Sequence, residues 1–176
     1  SRVTNYELDK NNMVFNMYKE LSPTSKSNLS SIERLEAIIT SVQTIPYYLV
    51  HEGSCQSSIS SSKFSREYHF SGEPCIANVK YGLAAPSQFS GNFKGDCDTR
   101  SLFLYIILKR IGYDVAILVS EKYGHAILGV NIPGNGKSIN FRGKRFLTVE
   151  TTAEGWKIGQ LPPNCGNTRY WRVALN

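Results

Sequence analysis

Long apolar runs are missing from this chain. The longest, Leu102–Leu108, spans seven residues, and about twenty are needed to cross the core of a bilayer. Neither a transmembrane segment within it nor a signal peptide at its start is therefore expected. A soluble part excised from a longer protein would look the same. Charge is also sparse. Charged residues make up 19% of the chain, with Lys plus Arg 20 against Asp plus Glu 14. The net charge of +6 is mild, and the basic residues are scattered. Their densest cluster, Arg142-Gly-Lys-Arg145, is broken by a glycine and reads as a solvated turn. Without a basic stripe interleaved with aromatics, no nucleic-acid partner is expected. Metal-binding spacing is missing too. The four cysteines, Cys55, Cys75, Cys97 and Cys165, form no Cys-x-x-Cys pair, which argues against zinc. No Asp-x-Asp-x-Asp-Gly run offers a calcium loop. Neither a metal nor an organic cofactor is implied.

What is present is a globular composition. Apolar residues make up 41% of 176 residues, enough for one domain spanning 1–176 with a real core. Met13, Phe15, Met17, Tyr18 and Leu21 suggest a helix over residues 9–21. Ser30-Ser-Ile-Glu33 has capping-box spacing. Ile32, Leu35, Ile38, Ile39, Val42 and Ile45 follow at helical intervals until Pro46 stops them. Residues 52–92, rich in Ser, Gly and Pro, read as one long connection that covers or shapes something. Asp96 is placed to cap a helix beginning near Cys97 and ending at Gly112. Strands are expected at 115–119, 125–130, 145–150 and 169–175, the first two as a hairpin. Helices early and antiparallel strands late argue an α+β fold.

Two of the cysteines, Cys55 and Cys75, sit in the irregular stretch. A disulfide between them is compatible with export, and two free thiols are equally compatible with the sequence. Cys97 differs. At a helix start the unpaired N–H groups and the dipole favour a thiolate, and the same groups can stabilise an oxyanion. Gly95 allows close approach of the backbone and a substrate. A cysteine nucleophile requires a base, and His125 opens a strand directly after Gly124. The base requires an acceptor that orients it. Glu150 ends the next strand, where it can face His125 if the two strands are neighbours.

Three segments carry a resemblance. Gly95-Asp-Cys-Asp-Thr-Arg-Ser-Leu-Phe-Leu-Tyr-Ile-Ile-Leu-Lys-Arg-Ile-Gly-Tyr-Asp114 resembles the nucleophile helix of the transglutaminase-like superfamily. Tyr123-Gly-His-Ala-Ile-Leu-Gly-Val130 is similar to its histidine strand, and Phe146-Leu-Thr-Val-Glu-Thr-Thr152 to its acid segment. Val42-Gln-Thr-Ile-Pro-Tyr47 resembles the upstream helix end of bacterial members. The likeness covers residues 32–152. It implies a papain-like core with Cys97 as nucleophile, His125 as base and Glu150 where the family usually has aspartate. It also implies an aromatic or amide side chain at the oxyanion hole, for which Gln43 and Gln88 are candidates, with Asp96 beside the nucleophile. The implied activity is acyl transfer through a thioester on a protein or peptide substrate, most simply as a peptidase or amidase. Resolution by an amine (a transglutaminase) and a peptide- or partner-binding module on the same fold are the alternatives. The resemblance and the loop cysteines together lean toward an exported or membrane-attached protein.

Overall fold

The computed structural model describes residues 29–60 and 63–176. The helix expected over residues 9–21 lies outside the described residues. Helix α1, Ser31–Gln43, starts as its capping box predicts. The Glu33 N–H donates to Ser30 Oγ at 3.3 Å, and the Ser30 N–H donates to the Glu33 carboxylate at 2.8 Å. Leu35, Ile38, Ile39 and Val42 form its buried stripe. The turn at Thr44 precedes Pro46, which has no N–H with which to continue the helix.

Residues 52–92 are not the single irregular connection expected from composition. Strand β1, Leu49–Val50, pairs in parallel with β2, Cys75–Ile76. Between them lie a 3-10 turn at Cys55–Ser60 and helix α2, Lys63–Phe70. Another 3-10 turn at Lys80–Gly82 leads to helix α3, Pro86–Asn92. Such short helices carry little periodic signal. They persist through tertiary contacts, because isolated helices of this length are marginal in water. One such contact is covalent: a disulfide joins Cys55 to Cys75.

Helix α4, Cys97–Arg110, is the centre of the molecule. Every residue from Thr99 to Leu108 is buried, so the helix is enclosed on all sides. Gly112, with φ of 94°, reverses the chain after it, in a conformation that side chains resist. Five antiparallel strands follow: β3 (Val115–Ser120), β4 (His125–Val130), β5 (Ser138–Phe141), β6 (Lys144–Val149) and β7 (Arg172–Leu175). Their order across the sheet is β5-β6-β4-β3-β7. Strand β5 was not legible in advance. It forms a hairpin with β6 through Arg142 and Gly143, at φ of 50° and 75°. The expected last strand starts later than the sequence suggests, after a 3-10 turn at Thr168–Tyr170.

One sheet face packs Val115, Leu128, Val130, Leu147 and Val149 against α4 and α1. The other face buries Ala116, Leu118, Ile127 and Phe146 under Leu161, Cys165 and Trp171. Helices gathered on one side of an antiparallel sheet define an α+β fold. Among the described residues, no helix is long and apolar enough to cross a membrane. The fold brings the first turn of α4, the start of β4 and the end of β6 to one place.

Candidate active site

Asp96 determines where α4 begins. Its carboxylate accepts from the Thr99 N–H at 3.1 Å and from the Val50 N–H at 3.4 Å. Burial pushes its pKa up to about 6, against the pull of the Thr99 hydrogen bond. Asp96 is therefore a structural cap, 4% exposed, that ties the β1 strand to the helix start. Gly95 is obligatory for a packing reason. A Cβ there would lie 2.6 Å from Thr99 Cγ2 and 2.8 Å from Phe89 Cδ2. Cys97, the first helical residue, is free and buried.

The imidazole of His125 lies between Cys97 and Glu150. Its Nε2 is 3.1 Å from one Glu150 carboxylate oxygen and 3.3 Å from the other. Cys97 also lies near enough to the ring to raise its pKa; with Nε2 on Glu150, Nδ1 is the nitrogen left for another partner. Burial alone would lower the imidazole pKa. The interactions with Cys97 and Glu150 outweigh that, and hold it well above 6.5. Trp171 closes one side of the ring, with centroids 5.9 Å apart.

Glu150 shows how a glutamate serves here. Its Oε1 accepts from the N–H groups of Thr151 and Thr152, both at 2.9 Å. The Thr152 hydroxyl donates to the same oxygen at 2.7 Å. The longer side chain thus curls back onto its own backbone, and three donors fix the carboxylate. Burial would raise its pKa. The His125 hydrogen bond and charge, with the Thr152 bonds, bring it down to about 2. The cross-strand register places Val149 opposite Leu128, so the acid emerges just beyond the β4–β6 ladder toward His125.

The two candidate amides fall elsewhere. Gln43 Nε2 donates to the backbone oxygens of Glu150 at 2.8 Å and Trp156 at 3.0 Å. Both of its N–H groups are engaged, and it anchors the acid's backbone instead of facing the thiol. Gln88 accepts from the Ala85 N–H at 3.1 Å and belongs to the α3 cap. Tyr47 is the residue that stands by the thiol. It bridges to Gly95 in the backbone, and its ring lies 5.5 Å from the Arg100 guanidinium. The Cys97 backbone lies near enough to its hydroxyl to lower its pKa. Burial, then the charges of Cys97 and Asp96, raise its pKa well above 10, so it keeps its proton. No acceptor holds that proton among the described residues.

Arg100 is the other residue that sequence reasoning passed over. It is fully buried beneath the site. Its guanidinium donates to Ile45 O at 2.7 Å and Gly95 O at 3.1 Å. Longer contacts reach Val42 O at 3.4 Å and Thr151 O at 3.5 Å. It joins the end of α1, the loop before Cys97 and the segment after Glu150.

A cavity of about 750 Å³ opens beside these residues. His125, Glu150 and Thr152 form its floor, and Tyr47, Phe64, Tyr68 and Tyr123 are among its walls. Among the described residues, no group of three His, Cys, Asp or Glu side chains is arranged to hold a metal ion. Comparison with family models, with curated proteins and with solved structures finds no match to the chain. The chemistry must be argued from the site.

Proposed function

We propose that the protein is a cysteine-nucleophile acyl-transfer enzyme with a papain-like core, acting on amide bonds of protein or peptide substrates, most simply as a peptidase or amidase. The observation that carries this reading is the His125–Glu150 pair at 3.1 Å, with Cys97 at the adjoining helix start near enough to raise the imidazole pKa. Cys97 would attack the carbonyl carbon as a thiolate. The developing oxyanion would accept from the Cys97 N–H and the Tyr47 hydroxyl. Imidazolium Nδ1–H would protonate the departing amine, leaving an acyl-thioester. Water, deprotonated by the same nitrogen, would then release the acid and restore the thiolate–imidazolium pair. Glu150 holds the ring and balances its charge without taking the proton. An amine in place of water would give transamidation by the same residues.

The test is iodoacetamide labelling at pH 6, read by mass spectrometry on each thiol. Cys165 is an internal control, because burial raises its pKa and keeps it protonated. Cys97 is expected to react at least about tenfold faster than Cys165, and His125→Ala to remove the difference. Equal rates at Cys97 in both proteins would leave a scaffold without chemistry, and the binding-module reading would lead.

Tyr47→Phe separates two steps. Alkylation by iodoacetamide forms no oxyanion, so its rate should stay within about twofold of wild type. Acylation by p-nitrophenyl acetate passes through one and should slow by about 10²–10³-fold. Equal loss of both would make Tyr47 a packing residue only.

A further inference from the structure

The chain carries 20 Lys plus Arg residues, yet among the described residues none lines the cavity beside His125. Two of its carboxylates are Glu150 and Glu73. Glu150 is committed to His125. Glu73 is exposed and has no ion-pair partner among the described residues. Next to it stands an aromatic wall. Phe64 and Tyr68 lie with centroids 5.7 Å apart, and Tyr47 meets Tyr68 edge-on at 5.4 Å. The Tyr68 hydroxyl donates to Tyr47 O at 3.1 Å and Pro74 O at 2.9 Å, which fixes the ring. Burial first, with the Glu73 charge adding to it, pushes its pKa up to about 12.

Cations of the chain already use neighbouring faces. Arg100 sits over Tyr47, and Lys94 lies 5.2 Å from the Tyr48 centroid. No cation of the chain covers Phe64 or Tyr68 among the described residues. A long aliphatic stem ending in a positive charge fits this setting. The stem lies along apolar rings, the charge is attracted to their faces, and the head reaches a carboxylate.

We propose that the cavity recognises a lysine or arginine side chain of the polypeptide substrate, at the residue bearing the attacked carbonyl, with Glu73 as the specificity-determining carboxylate. This rests on the acyl-transfer reading above and names its substrate class. A neutral aliphatic or aromatic side chain would use the rings and leave Glu73 idle.

The experiment compares p-nitrophenyl esters of acetyl-lysine, acetyl-norleucine and acetyl-phenylalanine. Norleucine matches the lysine stem without its charge. Wild type is expected to favour lysine over norleucine in kcat/KM by about tenfold. Glu73→Gln should lower the lysine value and leave norleucine unchanged, bringing the two within about threefold. A norleucine or phenylalanine ester used as well as lysine, or a preference that survives Glu73→Gln, overturns the proposal. Acylation of wild type by the norleucine ester reports the acyl-transfer reading by itself, so the two can fail separately. Protection of Cys97 from iodoacetamide probes the same recognition without turnover. Acetyl-lysine amide should protect and acetyl-norleucine amide should not. Equal protection by both would also overturn it.

Discussion

Cys97→Ala is expected to abolish acyl-enzyme formation, seen as loss of the mass increment left by an activated ester, while the fold survives. The sulfur is one small buried atom at a helix start, and alanine suits that position. Among the described residues no other group near His125 replaces it. Cys165 touches the same cavity, but burial keeps it a thiol, and its sulfur lies 3.6 Å from Pro162 O in its own turn. The loss should be at least about 10⁴-fold. His125→Ala should cost nearly as much, since groups that act as a unit do not add. Glu150→Gln should fall between. An amide can offer Nε2 the wrong partner, and its NH₂ cannot accept from Thr151 and Thr152. The pH dependence follows from the two shifts. The imidazole pKa is raised, so activity is present below that value and lost as pH rises through it. The Glu150 pKa is lowered to about 2, so its support for the folded site holds above the ordinary carboxylate range and is lost as pH falls toward 2. Full acylation of Cys97→Ala at another residue would end the assignment.

Arg100→Leu is expected to be the most destabilising substitution in the molecule, by about 3–5 kcal/mol, read as a fall in the urea midpoint at unchanged slope. Leucine is a good helix former and would fit a buried position by volume. What it cannot do is satisfy the oxygens of Ile45 and Gly95, or balance the acids around it. Burial pulls the guanidinium toward neutrality, while Tyr47, Asp96, Cys97 and Glu150 all favour its charge. Removing it takes away the cation near buried Asp96 and leaves Glu150 with His125 alone. Arg100→Lys should recover little, because one ammonium cannot fork toward carbonyls on separate segments. Its reach to the segments around Cys97 and Glu150 also predicts slower Cys97 alkylation in whatever protein remains folded. A midpoint within about 0.5 kcal/mol of wild type would mean that the carbonyls find water instead.

Much of this arrangement was legible in residues whose local chemistry has one reading. Ser30 with Glu33, Asp96 before Cys97 and Gly112 after Arg110 mark helix ends by their own hydrogen-bonding needs. The apolar run Val115–Val119, the turn at Glu121–Gly124 and the run from His125 made the β3–β4 hairpin legible. His125 and Glu150 could be paired only conditionally, because strand adjacency is a tertiary fact. The failures have equally specific causes. Arg100 reads as a solvated helix residue, since nothing local says that four carbonyls surround it. Gln43 has the right functional group and the wrong direction. Tyr47 follows Pro46 in an extended run, where sequence does not say which side meets the helix. The α2 helix, Lys-Phe-Ser-Arg-Glu-Tyr-His-Phe, is only eight residues long and low in hydropathy, and it follows the Ser-rich run directly. Strand β5 is short and partly exposed.

The disulfide spans a sequence separation of 20, and that interval contains Phe64, Tyr68, Glu73 and Pro74. The molecule therefore asks opposite things of its sulfur. The proposed acyl transfer would need Cys97 reduced, whereas the segment that carries one wall of the cavity is closed by two oxidised cysteines. A reductant added to preserve the nucleophile attacks the wall, and an oxidant that closes the wall threatens the nucleophile. Cys97 is free and buried, and Cys55 and Cys75 are joined, so both sulfur states occur in one fold. Strong reduction should accordingly leave Cys97 alkylation intact and erase the discrimination between lysine and norleucine. Catalysis and selectivity would then answer to different redox potentials within one domain.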